Sequence, residues 1–337
     1  MSKPIYCELD FLREFVRNIP QPDLLGDDEK YLSWKKVYQL LKNNLVIFDK
    51  LIPNEELKEL KIKKDFDLGC RAMWPIIRDN SELSNSFHLL RTSNYDQLTN
   101  HQLQSIYLMI LNQRKKQEIA QSTGILILGK SEIEKYNSLF ADRSVNIEIG
   151  TEKYKDWNDL EYPEAIKTSN SLVIVDNYIL KDTKKFERNI YSLLNVVLPF
   201  QTSVEYNISI CVELNSLSES FMQSRYDYIN NKIHELRPYL NYTLEILDAC
   251  GRFHDRKLIT NNIYIRSGEG FDIFPIRKST DVEIVFPFMD SSKYKDDEKS
   301  YYTLIEELRS LDYNDRYGKH VWKENDSENR LFKTIRQ

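Results

Sequence analysis

The order of apolar runs in the second half of the chain most narrows what it can fold into. "SLVIVDNYIL" (171–180), "YNISICVEL" (206–214) and "YTLEILDA" (242–249) each read as a short buried strand. Between them lie "KKFERNIYSLLNVVLP" (184–199), amphipathic and stopped by Pro199, and "SLSESFMQSRYDYINNKIHELRPYL" (216–240), a long helical pattern punctuated by Pro238. Apolar runs of this kind suit strands covered on both faces. Strands that alternate with crossover helices build a largely parallel sheet, because a parallel connection needs the length of a helix to return. The expected fold is α/β. After the third strand, "KLITNNIYIRSG" (257–268) predicts two short strands or a hairpin around Asn261-Asn262.

The first half mixes helix and strand patterns less regularly. "IYCELDFLREFVR" (5–17) reads as a strand running into a short helix, and "YLSWKKVYQLLKNN" (31–44) as a helix followed by the compact strand "LVIFD". "NEELKELKIKK" predicts a helix capped by Asn54, with acids early and lysines late. Residues 80–120 carry a helical pattern, with Leu103, Ile106, Tyr107, Ile110 and Leu111 on one face. "GILILGK" (124–130) predicts a strand, "SEIEKYNSLFAD" a helix and "VNIEIG" a strand. These readings divide the chain into a mixed α/β domain over 1–150, a polar linker over 151–170, a second domain over 171–290 and a charged tail with one helix over 291–337. The final "KENDSENRLFKTIRQ" is expected to be peripheral.

Composition removes several classes of function. A formal net charge of −5 gives no global basic field, so wholesale coating of nucleic acid is not expected, although a local basic groove stays open. Only 9 glycines leave little room for glycine-rich phosphate loops. Cys7, Cys70, Cys211 and Cys250 are scattered without ligand spacing, which points to free thiols in a reducing compartment and to no zinc site. The charged N-terminal segment is unlike a signal peptide, and no window approaches 18 uncharged apolar residues, so a cytoplasmic protein without a membrane span is expected. No metal or cofactor is implied. Trp34, Trp74, Trp157 and Trp322 read as packing residues, and "NQRKKQ" (112–117) as a solvated helix end. "CRAMWPIIRDNS" (70–81) sets arginines around apolar residues and is a candidate interaction surface.

The stretch "FHDRKLITNNIYIRSGEGFDIF" (253–274) gathers the residue types that handle phosphate. Set after a β-α-β-α-β order, it resembles a phospholipase D-like half-domain over roughly residues 170–290. Active members of that superfamily carry His-x-Lys, an Asp a few residues on, and a glycine-rich turn. Here His254 stands at the His place, Arg256 at the Lys place and Asn261 where the Asp would be, with Gly268 and Gly270 at the turn. The pattern is closer to divergent, often non-catalytic members, such as the phosphoinositide-binding C-terminal domain of MIT-domain proteins. In the active family one histidine attacks phosphorus and a second protonates the leaving oxygen, without metal. A single motif makes such catalysis depend on a homodimer. Arginine in place of lysine keeps the charge and alters the geometry.

Asp176, Tyr178, Asp248 and Asp272 complete the candidate ligand-binding set together with the two glycines. A carboxylate at the carboxyl end of a parallel strand is a favoured ligand position, and Asp176 capping the turn that follows is the alternative. Asp248 and Asp272 are candidate partners of Arg252 or Arg256. For the His254-Asp255-Arg256 cluster three readings stay open: a structural strand end, a site for a phosphate-bearing ligand or partner, and phosphodiester cleavage in a dimer. The altered motif favours a non-catalytic recognition or adaptor subunit, binding a phosphodiester such as nucleic acid or a protein partner. The resemblance suggests a bacterial anti-phage defence setting. The alternative is a metal-independent phosphodiesterase or nuclease.

Overall fold

A computed structural model describes residues 3–18, 20, 29–44, 46–50, 81–135, 140, 143–180, 186–213, 219–248, 256–287, 295–311, 321–323 and 329–333. The described residues build two sheets with helices around them, a mixed α/β architecture.

The first sheet is parallel throughout. Its strands are β1 (Ile5–Cys7), β2 (Val46–Phe48), β3 (Ile106–Leu108) and β4 (Leu126–Leu128), in the order β2-β1-β3-β4. Each is three residues long and wholly buried, so its apolar side chains face packed layers on both sides. Helix α1 (Leu9–Arg17) follows β1 directly and buries Leu9, Phe11, Leu12, Phe15 and Val16. Helices α2 (Glu29–Asn43), α3 (Ser81–Arg91), α4 (Gln113–Thr123) and α5 (Lys130–Glu134) complete this half.

One expected helix does not extend as its periodicity predicts. Within residues 80–120, the run around Tyr107 is strand β3, preceded by a single helical turn over Asn100–Leu103 that a Thr99–Gln102 capping box opens. A three-residue apolar run satisfies helical and strand templates equally. Pairing with β1 on one side and β4 on the other decides it.

Among the described residues the second sheet has eight strands, which in spatial order begin at Val321, Tyr242, Tyr206, Ser171, Arg256, Tyr264, Thr280 and Arg143. Strands β6 (Ser171–Val175), β7 (Tyr206–Val212) and β8 (Tyr242–Asp248) run parallel at its centre, as the alternating pattern requires. Their crossovers are a wide helical turn over Glu187–Tyr191 continuing into helix α6 (Ser192–Val197), and helix α7 (Glu219–Leu236). Strands β9 (Arg256–Thr260) and β10 (Tyr264–Ser267) form the expected hairpin, and β11 (Thr280–Val285) extends it. Strand β5 (Arg143–Ile147), expected with the first half, pairs antiparallel with β11 at the sheet's far edge. Strand β12 (Val321–Lys323) closes the other edge, and helix α8 (Lys295–Leu311) is the helix of the charged tail.

The stretch 151–170 is packed along much of its length. It carries short helical turns over Trp157–Asp159 and Glu164–Lys167, and Trp157 is fully buried with its indole N–H donating to the Phe271 carbonyl at 3.2 Å. The tail also departs from its expected peripheral place. Asn329, Arg330, Leu331 and Phe332 are buried, and Arg330 Nη1 donates to the carbonyls of Asn170 (3.1 Å) and Glu205 (3.0 Å).

The two sheets meet through buried polar contacts. Asn170 Nδ2 donates to the carbonyls of Leu103 and Thr123, both at 2.8 Å, and Gln104 Nε2 donates to Asn170 Oδ1 and Ser171 Oγ, both at 2.9 Å. Gly124, the left-handed cap of α4 at φ 64°, allows this approach. A Cβ there would sit 2.0 Å from the Ser169 carbonyl oxygen.

Candidate functional site

Five strand ends converge on one edge of the second sheet. Val175, the last residue of β6, pairs with Lys257, and Arg256, the first of β9, pairs with Ser267, the last of β10. Val212 and Asp248 pair at the ends of β7 and β8 on the same edge. The topology therefore brings Asp176, Tyr178, Asp248, Arg256, Gly268 and Gly270 to this edge, from three separate stretches of sequence.

Asp176 is the best-defined member. It is 2% exposed, and its two carboxylate oxygens accept from different backbone N–H groups: Oδ1 from Tyr178 at 2.9 Å and Oδ2 from Phe271 at 2.9 Å. The first bond caps the turn that follows β6. The second ties the end of β6 to the loop after β10. Desolvation raises its pKa above the ordinary carboxylate value, and the two N–H donors and the Arg256 charge offset part of that rise.

Gly270 explains how Phe271 comes so close. Its φ is 94°, and a Cβ would stand 2.9 Å from Asp176 Oδ2 and 3.3 Å from the Arg256 stem. The turn itself is closed by Gly270 N–H donating to the Ser267 carbonyl at 3.3 Å and by Ser267 Oγ donating to the Gly270 carbonyl. Gly268 sits exposed at its tip, where its N–H donates to the Asp281 carbonyl at 3.2 Å.

Arg256 is half-buried, and its guanidinium lies 5.3 Å from the centroid of the Tyr178 ring. Tyr178 is 47% exposed, so the pair forms a cationic, aromatic rim over the buried carboxylate. A guanidinium near a ring face keeps its fork of N–H donors for an anion.

The other candidates are placed differently. Asp272 accepts from Asn189 Nδ2 at 2.9 Å, and Asn189 also exchanges two hydrogen bonds with the Phe274 backbone. Asp272 thus braces the turn after Gly270 against the 187–191 helical turn. Asn261 lies at the opposite end of β9 from Arg256, in the β9–β10 hairpin. Its Oδ1 accepts from Asn170 N–H at 3.0 Å and its Nδ2 donates to the Gly124 carbonyl at 3.3 Å, so it joins the two sheets rather than the Arg256 edge. His254 and Asp255 lie outside the described residues, as do Arg252, Cys70, Cys250, Trp74, the predicted helix at 54–64, residues 70–80 and His320. His101 precedes β3 on the first sheet, and His234 ends α7 on the far side from this edge. Cys7 and Cys211 are buried thiols. Among the described residues no group of three His, Cys, Asp or Glu side chains is arranged to hold a metal ion, and no helix is long and apolar enough to cross a membrane.

Lys116, expected on a solvated helix end, is buried. Its Nζ donates to Ser131 Oγ at 2.6 Å and to Glu132, whose Oε2 also accepts the Gly129 N–H at 2.9 Å. The signal was the strand-Gly-Lys-Ser-Glu-Ile-Glu run, whose Glu132 stands three residues after Gly129 and caps the helix start.

No family model matches this chain, and no curated protein matches it. Among solved structures, the archaeal chromatin protein TrmBL2, whose structure is described as showing a novel mode of DNA binding, is similar over 49% of this chain and 52% of its own, with 13% identity and a TM-score of 0.25. The matched region spans about half the length of that protein.

Proposed function

We propose that this chain is a recognition subunit, with a divergent phospholipase D-like domain that holds a phosphate-bearing ligand or an acidic partner at the Arg256 edge. One observation carries the reading. Both oxygens of Asp176, the buried carboxylate of this edge, are taken by backbone N–H groups, while the neighbouring guanidinium is held on an exposed ring rather than in an ion pair with Asp176. Such an edge has a fixed cation beside a carboxylate whose two oxygens are already occupied. It is suited to binding an anion through paired N–H donors. A nucleic-acid phosphodiester fits this chemistry. A role in bacterial anti-phage defence belongs to the same reading, and rests on the sequence resemblance alone.

The competing reading is a metal-independent phosphodiesterase in which His254 of two copies meets across a dimer. The test runs wild type, His254→Ala and Arg256→Glu side by side in EDTA. Cleavage of DNA, RNA and bis-p-nitrophenyl phosphate is assayed with binding to a single-stranded oligonucleotide, and mass is measured by light scattering. The recognition reading expects no cleavage, and for Arg256→Glu a binding loss of about tenfold or more, larger than that of His254→Ala. Cleavage by a wild-type dimer that His254→Ala abolishes would overturn it. So would equal binding by wild type and Arg256→Glu.

A further inference from the structure

We infer that the edge where the three central parallel strands begin is a second binding surface, for single-stranded nucleic acid. The fold brings three separate loops to this edge. Strands β6, β7 and β8 start side by side, with Ser171 paired to Asn207 and Tyr206 to Tyr242. The chain entering β6 carries Lys167, the chain entering β7 carries Phe200 and Ser203, and the chain entering β8 carries Arg237 and Tyr239. Helix α4 is fastened beside them, because the Ser203 and Val204 N–H groups both donate to the Ser122 carbonyl, at 2.7 and 3.3 Å. This edge lies at the opposite end of β6 from Asp176 and Arg256, and the inference does not depend on the function proposed there.

Two aromatic rings stand out into solvent here, Phe200 at 71% exposure and Tyr239 at 82%. Single exposed rings are ordinary on a protein surface, and what sets this pair apart is the charge around it. Lys167 Nζ and the Arg237 guanidinium each lie 4.9 Å from the centroid of the Phe200 ring. Neither cation has a carboxylate partner among the described residues. Arg237 is buried, and its donors go to the carbonyls of Asn195, Leu198 and Leu236 and to Asn195 Oδ1. Those dipoles satisfy its N–H groups and leave its charge without a counter-ion. Burial, and then the Arg237 charge, push the Lys167 pKa below the ordinary lysine value, so an anion placed here is attracted by both cations. Phe200 thus positions the cations, and Tyr239, which has no hydrogen-bond or ring partner among the described residues, offers the open ring.

A groove of about 680 Å³ adjoins the rings between α4 and the 201–203 loop, lined by Arg114, Gln117, Gln121, Gln201, Ser203 and Tyr239. Arg114 is exposed and has no ion-pair partner among the described residues. Glu118 also lines the groove, and its charge is already met by Lys115 Nζ at 2.7 Å, with the Ser93 and Tyr95 hydroxyls donating to the same oxygen. The lining decides between partners. A protein-docking surface centres on an apolar patch. Here the walls are amide, hydroxyl and guanidinium, and the aromatic rings supply the apolar surface. Unpaired bases stack on an open ring, their phosphates sit on cations, and side-chain amides bond base edges. A duplex keeps its base faces stacked inside and has none to offer Tyr239.

The test is fluorescence anisotropy of a labelled oligothymidylate of about 12 nucleotides, within the span of common single-strand sites, on the full chain. Tyr239→Ala and Lys167→Glu are each measured in wild type and in Arg256→Glu, so that the two edges are read separately, with folding checked by circular dichroism. A duplex of the same length and a polyglutamate peptide serve as competitors. In the Arg256→Glu background, Tyr239→Ala is expected to weaken the oligonucleotide by about tenfold, and Lys167→Glu by at least as much. Both competitors should displace it poorly, and a Tyr239→Trp variant should lose fluorescence as the oligonucleotide binds. No binding by folded wild type would overturn the inference. Polyglutamate or duplex competing as well as unlabelled oligothymidylate would overturn it too, the first in favour of an acidic protein partner. Binding that Arg256→Glu removes and Tyr239→Ala leaves unchanged would overturn it while the Arg256 reading stands.

Discussion

A carboxylate that is 2% exposed and accepts two backbone N–H groups holds a strand end in place, and Asp176 is such a residue. Its raised pKa has a definite consequence for stability. The native state keeps the Asp176 proton to a higher pH than the unfolded chain does, so its contribution is greatest below the unfolded value and falls as pH rises through the folded one. The stability advantage of wild type over Asp176→Ala should therefore shrink as pH climbs from about 4, which urea unfolding at a series of pH values will show. Gly270 makes a sharper prediction. Alanine there meets both a positive φ and the Asp176 oxygen at 2.9 Å, so Gly270→Ala should cost more than about 1 kcal/mol in the same measurement. An alanine variant as stable as wild type would show that the turn relaxes freely.

Among the elements, the short C-terminal helix over Arg330–Lys333 and the residue before it do more than their sequence suggests. Asn329 Nδ2 donates to the Leu172 carbonyl at 3.1 Å and to Ser209 Oγ at 2.7 Å, reaching β6 and β7. Arg330 adds Asn100 Oδ1 on the first half, at 3.1 Å, to its two carbonyl acceptors on the second. Burial lowers its pKa to about 10, so its charge is held in place by these oxygens rather than by solvent. Arg330→Met should lower the unfolding free energy by about 3 kcal/mol, because it strips several buried acceptors of a charged donor at once. The hairpin of β9 and β10 works at the same scale. Its strand ends form the Arg256 edge on one side, and its Asn261-Asn262 tip joins the two sheets on the other.

Over the whole molecule, the two sheets share one apolar core that runs from Ile5 and Leu108 to Leu172 and Ile259. Lys3 crosses the same boundary. It precedes β1, is buried, and its Nζ donates to the Asn261 carbonyl and to Asn262 Oδ1 at 2.8 Å. Burial pushes its pKa well below the ordinary lysine value. The unfolded chain then holds the Lys3 proton to a higher pH than the native state does, so native stability gains as pH rises towards the unfolded value. The stability of wild type relative to Lys3→Met should rise between about pH 7 and pH 10. Both halves should also unfold in one transition, with tryptophan fluorescence and far-ultraviolet dichroism coinciding. Two separated transitions would mean that the shared core and the polar bridge do not couple the sheets.

The local elements are legible in the order of amino acids alone. The β-α-β-α-β order of the second half, the hairpin at Asn261-Asn262 and the β1–α1 start were all legible, because apolar run length, helical spacing and turn residues act within a few positions of the chain. That order also gathered most of the Arg256 edge, since strand ends in a parallel layer point the same way. The rest depends on pairing across long separations. The run at Tyr107 is a strand because β1 and β4 flank it, and β5 belongs to the second sheet because β11 offers it an edge. Asn261 faces the first sheet because a five-residue strand separates it from Arg256. Lys116 and Arg330 are buried because carboxylate and carbonyl partners meet them there. A charged residue's burial depends on partners that its neighbours in sequence do not reveal.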